Sequence, residues 1–326
     1  MIQAIEKIMK FDTAGDPITG LKWTRRTTEK IAQELKKLEI QVSRGTVGRL
    51  LKSMKFSLRV NHKKLSSGRG KDRNRQFEHI ASLREEFARR GDPIVSVDTK
   101  KKELIGQFKN PGTAWSREAT AVKDHDFRSE AVGMANPYGI YDLRNNSAAV
   151  VVGRSYDTPQ FAVACISKWW LYQGRLRYPE NKNLLILADN GGSNGASPYA
   201  WKYFLQLELC ERFGLSVTVA HYPPGASKWN PIEHRVFSEI SKNWQGKPLD
   251  SYMTCLNYIA TTRTSTGLKV RAYLDKKIYK KGIKISAQQM KHLSLRRDDT
   301  LPKWNISCAR SEPGETLELF FGGPLW

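Results

Sequence analysis

Cysteine is scarce in this 326-residue sequence: Cys165, Cys210, Cys255 and Cys308 stand far apart, with no C-x-x-C pair and no histidine at zinc-finger spacing. That pattern excludes a disulfide framework and a structural zinc site, and predicts reduced, packed thiols. No apolar run approaches the roughly 18 residues that a membrane-spanning helix needs. Residues 1–10 have neither a long apolar core nor a small-residue cleavage site, so a cytoplasmic protein with no membrane partner is expected. Nucleotide fingerprints are missing as well, since Gly191-Gly192-Ser193-Asn194-Gly195 lacks both the G-K-[ST] of a P-loop and the G-x-G-x-x-G spacing. H-E-x-x-H is absent too, which removes the common zinc hydrolase pattern and leaves His125, His221 and His234 as isolated candidates for metal or general-base roles. Acid is in short supply: 32 Asp and Glu face 54 Lys and Arg, a formal net charge of +22. Such an excess calls for a polyanion and argues against a two-carboxylate glycosidase acting on neutral sugar.

The positive charge is concentrated. Between Ser43 and Arg75 there are eleven basic residues and one acid, Asp72, a net of +10 in 33 residues. The run begins on a pattern of two helices. Thr27 can cap a helix that places Ile31, Leu35 and Leu38 at i, i+4, i+7, and Ser43 can cap a second with Val47, Leu50, Leu51 and Met54 on one stripe. Arg44, Arg49 and Lys52 fall mostly on the other side, so the pair reads as a helix-turn-helix with the second helix against duplex DNA. Lys55, Lys63, Lys64, Arg69 and Lys71 continue the run through a Ser- and Gly-rich stretch expected to be a linker that touches phosphate. The expected division is a helix-turn-helix module over 1–60, a basic linker and helix over 61–90, a catalytic domain over 91–245, and a helical extension with an irregular tail over 246–326.

From Gly91 onward strands alternate with helices. Residues 94–98 (IVSVD) and 184–189 (LLILAD) are apolar runs ending in acids; 104–108 is a short strand, 138–142 and 148–153 form a hairpin around Arg144-Asn145-Asn146-Ser147, and 216–220 is a further strand. Asp157 is expected to cap a helix with Pro159 in its first turn, with further helices over 198–213 and 231–244. Three strands, a helix, then alternating strand and helix is the order of the ribonuclease-H-like α/β fold, a mixed sheet covered by helices on both faces.

Asp98 and Asp189 therefore end two strands that can lie side by side, and Glu233 opens a helix entered through Pro223 to Pro231 that can return over the same edge. Three carboxylates and no thiol suit Mg²⁺, with Mn²⁺ as the alternative, and two such ions about 3.5–4 Å apart are the machinery of phosphoryl transfer. Each acid also has a plainer reading. Asp98 could cap the turn into Lys100-Lys101-Lys102, Asp189 could only turn the chain, and Glu233, three residues after Asn230, holds the capping-box position. Glu103, Asp142 and Asp157 are rival acids. In the loop before Glu233, Lys228 and Trp229 are candidates to hold a DNA end by phosphate contact and base stacking, against Trp229 as a core plug, and Lys100 and Lys101 extend the basic surface.

The segments SVDTKKKELIGQFKN (96–110), HDF (125–127), NPYGIYD (136–142), DTPQFAV (157–163), ADNGGSNG (188–195) and HYPPGASKWNPIEHRVFS (221–238) resemble the insertion-sequence transposases of the ISAzo-thirteen type, whose catalytic part is the Rhodopirellula-type DDE transposase domain. NWQGKPL (243–249) and LKVRAYLD (268–275) continue the resemblance. It implies a ribonuclease-H-like core, a divalent metal, and DNA strand cleavage and transfer at the terminal inverted repeats of an insertion sequence, and it puts the catalytic acids on Asp98, Asp189 and Glu233. It also implies a nucleoid-associated prokaryotic protein that meets terminal-repeat and target DNA as a homo-oligomer. A DNA-binding regulator derived from such an enzyme and a nuclease on the same fold are the competing functions.

Overall fold

The computed structural model describes residues 1–9, 13–15, 22–24, 27–56, 72–114 and 116–311. The chain divides into two units, residues 1–65 and 66–326. Lys63, Lys64, Arg69 and Lys71 lie outside the described residues, as does all of the tail after Ser311.

In the first unit, α1 (Ile2–Met9) is followed by a short antiparallel pair, β1 (Thr13–Gly15) and β2 (Lys22–Thr24), then α2 (Thr28–Lys37) and α3 (Arg44–Ser53). Both caps fall where the sequence puts them. Thr27 Oγ1 accepts from the Lys30 amide at 3.2 Å and Ser43 Oγ from the Thr46 amide at 3.2 Å, each satisfying one of the amides that a helix start leaves unpaired. The core is small: Ile5, Met9, Ile31, Leu35 and Val47. Arg44, Arg49, Lys52 and Lys55 are all exposed, because the apolar stripe of α3 turns inward and leaves them on the opposite side.

The second unit opens with α4 (Asp72–Arg90) and is built on one sheet. Its strands are β3 (Ile94–Thr99), β4 (Glu103–Ile105), β5 (Gly133–Asp142), β6 (Ser147–Gly153), β7 (Asn183–Ala188), β8 (Ser216–His221), β9 (Lys269–Asp275), β10 (Leu295–Arg297) and β11 (Asn305–Cys308). They lie in the order β10-β11-β8-β7-β3-β5-β6-β9, with β4 pairing to β5. The central run β6-β5-β3-β7-β8, with β5 alone antiparallel to its neighbours, is the ribonuclease-H-like arrangement. One face is covered by α5 (Pro159–Trp169), which runs through a wider π turn into the short α6 (Arg175–Arg177), and by α7 (Tyr199–Leu205). The other is covered by α4, α8 (Ser238–Asn243) and α9 (Tyr252–Ala260). Outside these layers, α10 (Ala287–Lys291) carries a capping box of Ser286 and Gln289.

Two expectations are corrected. Among the described residues after 246, only α9 and briefly α10 are helical; β9 extends the sheet beside β6, and β11 adds to its other side beside β8. These strands lie toward the sheet edges and interleave charged or polar residues with apolar ones, as in Lys269-Val270-Arg271 and Asn305-Ile306-Ser307, so no continuous apolar run marks them. The cap of α5 is Thr158, whose Oγ1 accepts from the Phe161 amide at 3.2 Å, not Asp157. That leaves the Asp157 carboxylate for another partner.

Candidate active site

Residues 94, 96 and 98 share one face of β3 because strand side chains alternate. Ile94 packs with Ile80 and Phe87 of α4, and Ser96 bonds to the loop before α8, so that face looks toward α4 and α8 and Asp98 lies on it. In the neighbouring strand Leu185 and Leu187 point the same way, and Val97 pairs in parallel with Ala188. The next residue on each strand is an acid, Asp98 and Asp189, so two carboxylates meet at one end of the sheet. On the other side of β3, Asp98 stands opposite Gly139 of β5. A Cβ at Gly139 would come within 2.7 Å of Ile232 and of Phe237, so this bare position lets the segment carrying Glu233 close onto the sheet beside Asp98.

Glu233 opens a π turn, Glu233–Phe237, that continues into α8. The capping-box reading of this residue does not hold, because the Asn230 side chain is taken up by β3 and the Asn230 amide donates to Ser227 O. Asn230 faces the core instead: its Oδ1 accepts from Ser96 Oγ at 2.5 Å and its Nδ2 donates to Val97 O at 3.0 Å.

The three acids interact electrically. Burial, the charge of Asp189 and the nearby Glu233 push the Asp98 carboxyl up to about 8, although the Thr99 amide, 2.7 Å from its Oδ1, stabilises the anion. Burial raises Asp189 as well, against hydrogen bonds from Asn194 and the Gly191 amide, and Glu233 and Asp157 add like charge. Asp189 Oδ1 is buried with no hydrogen-bond partner. An orphaned anionic oxygen among like charges is costly unless a cation meets it, and a donor set made only of carboxylate oxygen fits a hard divalent ion. Among the described residues no three Asp, Glu, His or Cys side chains enclose one point. An ion here would be held by carboxylates in pairs and complete its shell with water or substrate oxygen, as Mg²⁺ commonly does.

The rival acids separate. Asp142 is fully buried and stands opposite Val95, toward the other end of β3, where it accepts from Tyr178 Oη at 3.0 Å, from Asn145 and from Arg177, a structural network. Glu103 pairs with Lys100 at 2.8 Å. Asp157 lies beside the centre, accepting from Thr99 Oγ1 at 3.2 Å. Lys100 is corrected as a surface contact: it is buried, its ammonium held between Glu103 and the Trp244 ring at 4.5 Å, whereas Lys101 is exposed. Lys228 is exposed, and Trp229 is 55% exposed with one edge against Phe77 of α4, which excludes a core plug. His221 is buried with its ring nitrogens 2.9 Å from Trp304 O and 2.7 Å from Asn194 O; burial lowers its pKa, and it braces the loop that holds Asp189. His234 and His125 are exposed. Sequence reasoning missed Gly139, Ser96 and Asn230, none of which carries charge. A polar Ser96 inside the apolar run IVSVD was the available signal.

The model of the family described as the Rhodopirellula transposase DDE domain matches residues 4–310. No curated protein matches the sequence. Solved structures similar to the chain include a Mos1 transposase paired-end complex with the left transposon end, at 13% identity and TM-score 0.41 over 79% of this chain and 69% of that one. A pre-cleavage Mos1 transpososome is similar at 12% identity and TM-score 0.42, over 79% and 70%.

Proposed function

The chain belongs to the family of the Rhodopirellula transposase DDE domain and is a DDE transposase, and we propose that it cuts and joins DNA strands at the terminal inverted repeats of its element with Asp98, Asp189 and Glu233 as the metal-holding acids. The observation that carries this reading is the meeting of Asp98 and Asp189 at adjacent strand ends, with Glu233 folded over them and an unpartnered oxygen on Asp189.

Bound divalent ions, Mg²⁺ or Mn²⁺, would supply Lewis-acid activation of the attacking oxygen and charge stabilisation of the leaving one. The chain's own residues do the rest. Asp98 and Asp189 hold charge at fixed strand ends, Asn194 and the Gly191 amide orient Asp189, and the Thr99 amide orients Asp98. Lys228 and Trp229, on the exposed loop entering Glu233, meet the DNA end: the ammonium neutralises a phosphate and the indole stacks on a base, for about 1–3 kcal/mol. In the first unit Arg44, Arg49, Lys52 and Lys55 meet duplex DNA from α3 and its C-terminal end, and Lys63, Lys64, Arg69 and Lys71 are assigned further phosphate contacts. Several such copies on paired ends would account for a homo-oligomer on DNA in the prokaryotic cytoplasm.

The test is cleavage of labelled duplexes that carry the element's terminal repeats, incubated with the purified full chain and Mg²⁺. Metal-dependent nicks at the repeat boundary are expected. Binding without any cleavage, in Mg²⁺ and in Mn²⁺, would favour the regulator, and cutting without regard to the repeat would favour a nuclease.

A further inference from the structure

We propose that Ser96 and Asn230 form a latch that sets how far Glu233 reaches toward Asp98, and that this latch is a positioning device for divalent metal. The proposal rests on the reading of Glu233 as a metal-holding acid. Asp98 and Asp189 sit at the ends of paired strands, and the sheet ladder fixes them. Glu233 has no such support. It stands in the first turn of a helical run that begins at Pro231 after a loop, and from Glu233 that run widens into a π turn, a rarer form often found at functional sites.

The latch supplies what the ladder cannot. Asn230 is fully buried, with its amide Nδ2 donating to Val97 O at 3.0 Å, the carbonyl of the peptide that joins Val97 to Asp98. Ser96 Oγ, two residues before Asp98, donates to Asn230 Oδ1 at 2.5 Å and accepts from the Ile232 amide at 3.0 Å. Asn230 O in turn accepts from the Glu233 amide at 3.1 Å. The chain is thus pinned to β3 at both residues 230 and 232, directly before Glu233 and level with the approach to Asp98.

Packing alone does not call for this. A buried amide and hydroxyl cost free energy to desolvate, and an apolar pair could fill the space. What the polar pair adds is direction, because its hydrogen bonds have one satisfactory arrangement. Gly139, opposite Asp98, completes the device by leaving room for Ile232 and Phe237 to descend.

The experiment is Mn²⁺ titration of the full chain by electron paramagnetic resonance, with cleavage measured in parallel at several Mn²⁺ concentrations. Ser96→Ala removes one hydroxyl and is expected to weaken Mn²⁺ binding about tenfold. Its cleavage should recover at raised Mn²⁺, and Ser96→Thr, which restores the hydroxyl, should return affinity toward wild type. Glu233→Gln is the reference, expected to lose the same Mn²⁺. Asn230→Ala serves as a second variant, with circular dichroism confirming that each protein is folded. Wild-type Mn²⁺ affinity in folded Ser96→Ala, alongside a loss in Glu233→Gln, overturns the latch and leaves the assignment of Glu233 standing. Wild-type Mn²⁺ affinity in Glu233→Gln overturns both.

Discussion

The two units handle charge in opposite ways. In the first, the cations of α3 and its C-terminal end stand in water, and the buried residues Ile5, Met9, Ile31, Leu35 and Val47 are all apolar. In the second, acids are drawn out of water and set against one another, so that Asp98 is pushed up to about 8. Exposed charge attracts a polyanion at long range and is screened by salt. Buried charge of one sign holds free energy in reserve and releases it when a counter-ion arrives. A chain that must find DNA and then do chemistry on it has use for both, and separating them lets each be altered alone.

The sharpest way to test that separation is to remove one buried charge. Asp189→Asn is expected to lower strand cleavage by at least about a thousandfold, since the acids act as a unit, while duplex affinity changes by less than about twofold. A matching loss of binding would show that the two kinds of charge are not separable. Gly139→Ala should come next: its methyl would meet Ile232 and Phe237, with an overpacking cost of about 1–3 kcal/mol. Thermal melting should show the second unit destabilised, and cleavage should fall with it while the salt dependence of DNA binding stays unchanged. A third test uses pH. Asp98 has a folded pKa of about 8 against an ordinary 3.8, so without metal the folded state binds the extra proton between those values. Stability of the second unit should therefore be greatest below about pH 4 as far as this group is concerned, and its melting temperature should fall as pH rises toward about 8. Asp98→Asn should flatten the slope, and a slope unchanged in that variant would assign it to other groups. The smallest effect is expected from Ser43→Ala, which removes the α3 cap for about 1 kcal/mol. It should loosen the first unit and weaken DNA binding, with metal binding untouched.

Much of the catalytic fold was legible because β3 and β7 are buried on both faces and read as apolar runs, that of β3 interrupted only by Ser96, each leading to an acid at the same sheet end. The caps Thr27 and Ser43 were legible for a local reason, the side-chain oxygen immediately before an apolar stripe. The edge was not. Lys269–Asp275 has one neighbour, β6, and only Val270 and Asp275 are buried in it, so a short, partly exposed stretch with lysine and arginine in it is easily taken for helix. At Asp157-Thr158 two capping residue types stand side by side, and only the fold decides that Thr158 caps and Asp157 turns to Thr99. Lys100 shows a related limit: three consecutive lysines look like surface, yet one folds under Trp244 because Glu103 is there to receive it. Asn230 before a proline looks like a helix cap, and its actual partner, Ser96, lies 134 positions away, beyond the reach of any local pattern.

The proposed active site requires Asp98, Asp189 and Glu233 to hold metal together. Calorimetric titration of the full chain with Mn²⁺ tests this directly, comparing wild type with Asp98→Asn, Asp189→Asn and Glu233→Gln. Each single amide should abolish or severely weaken binding of at least one ion, and combining any two should add little further loss, since removing one member already disables the unit. Wild-type affinity and stoichiometry retained in any one of the three would contradict the assignment of that residue, and retention in all three would contradict the site.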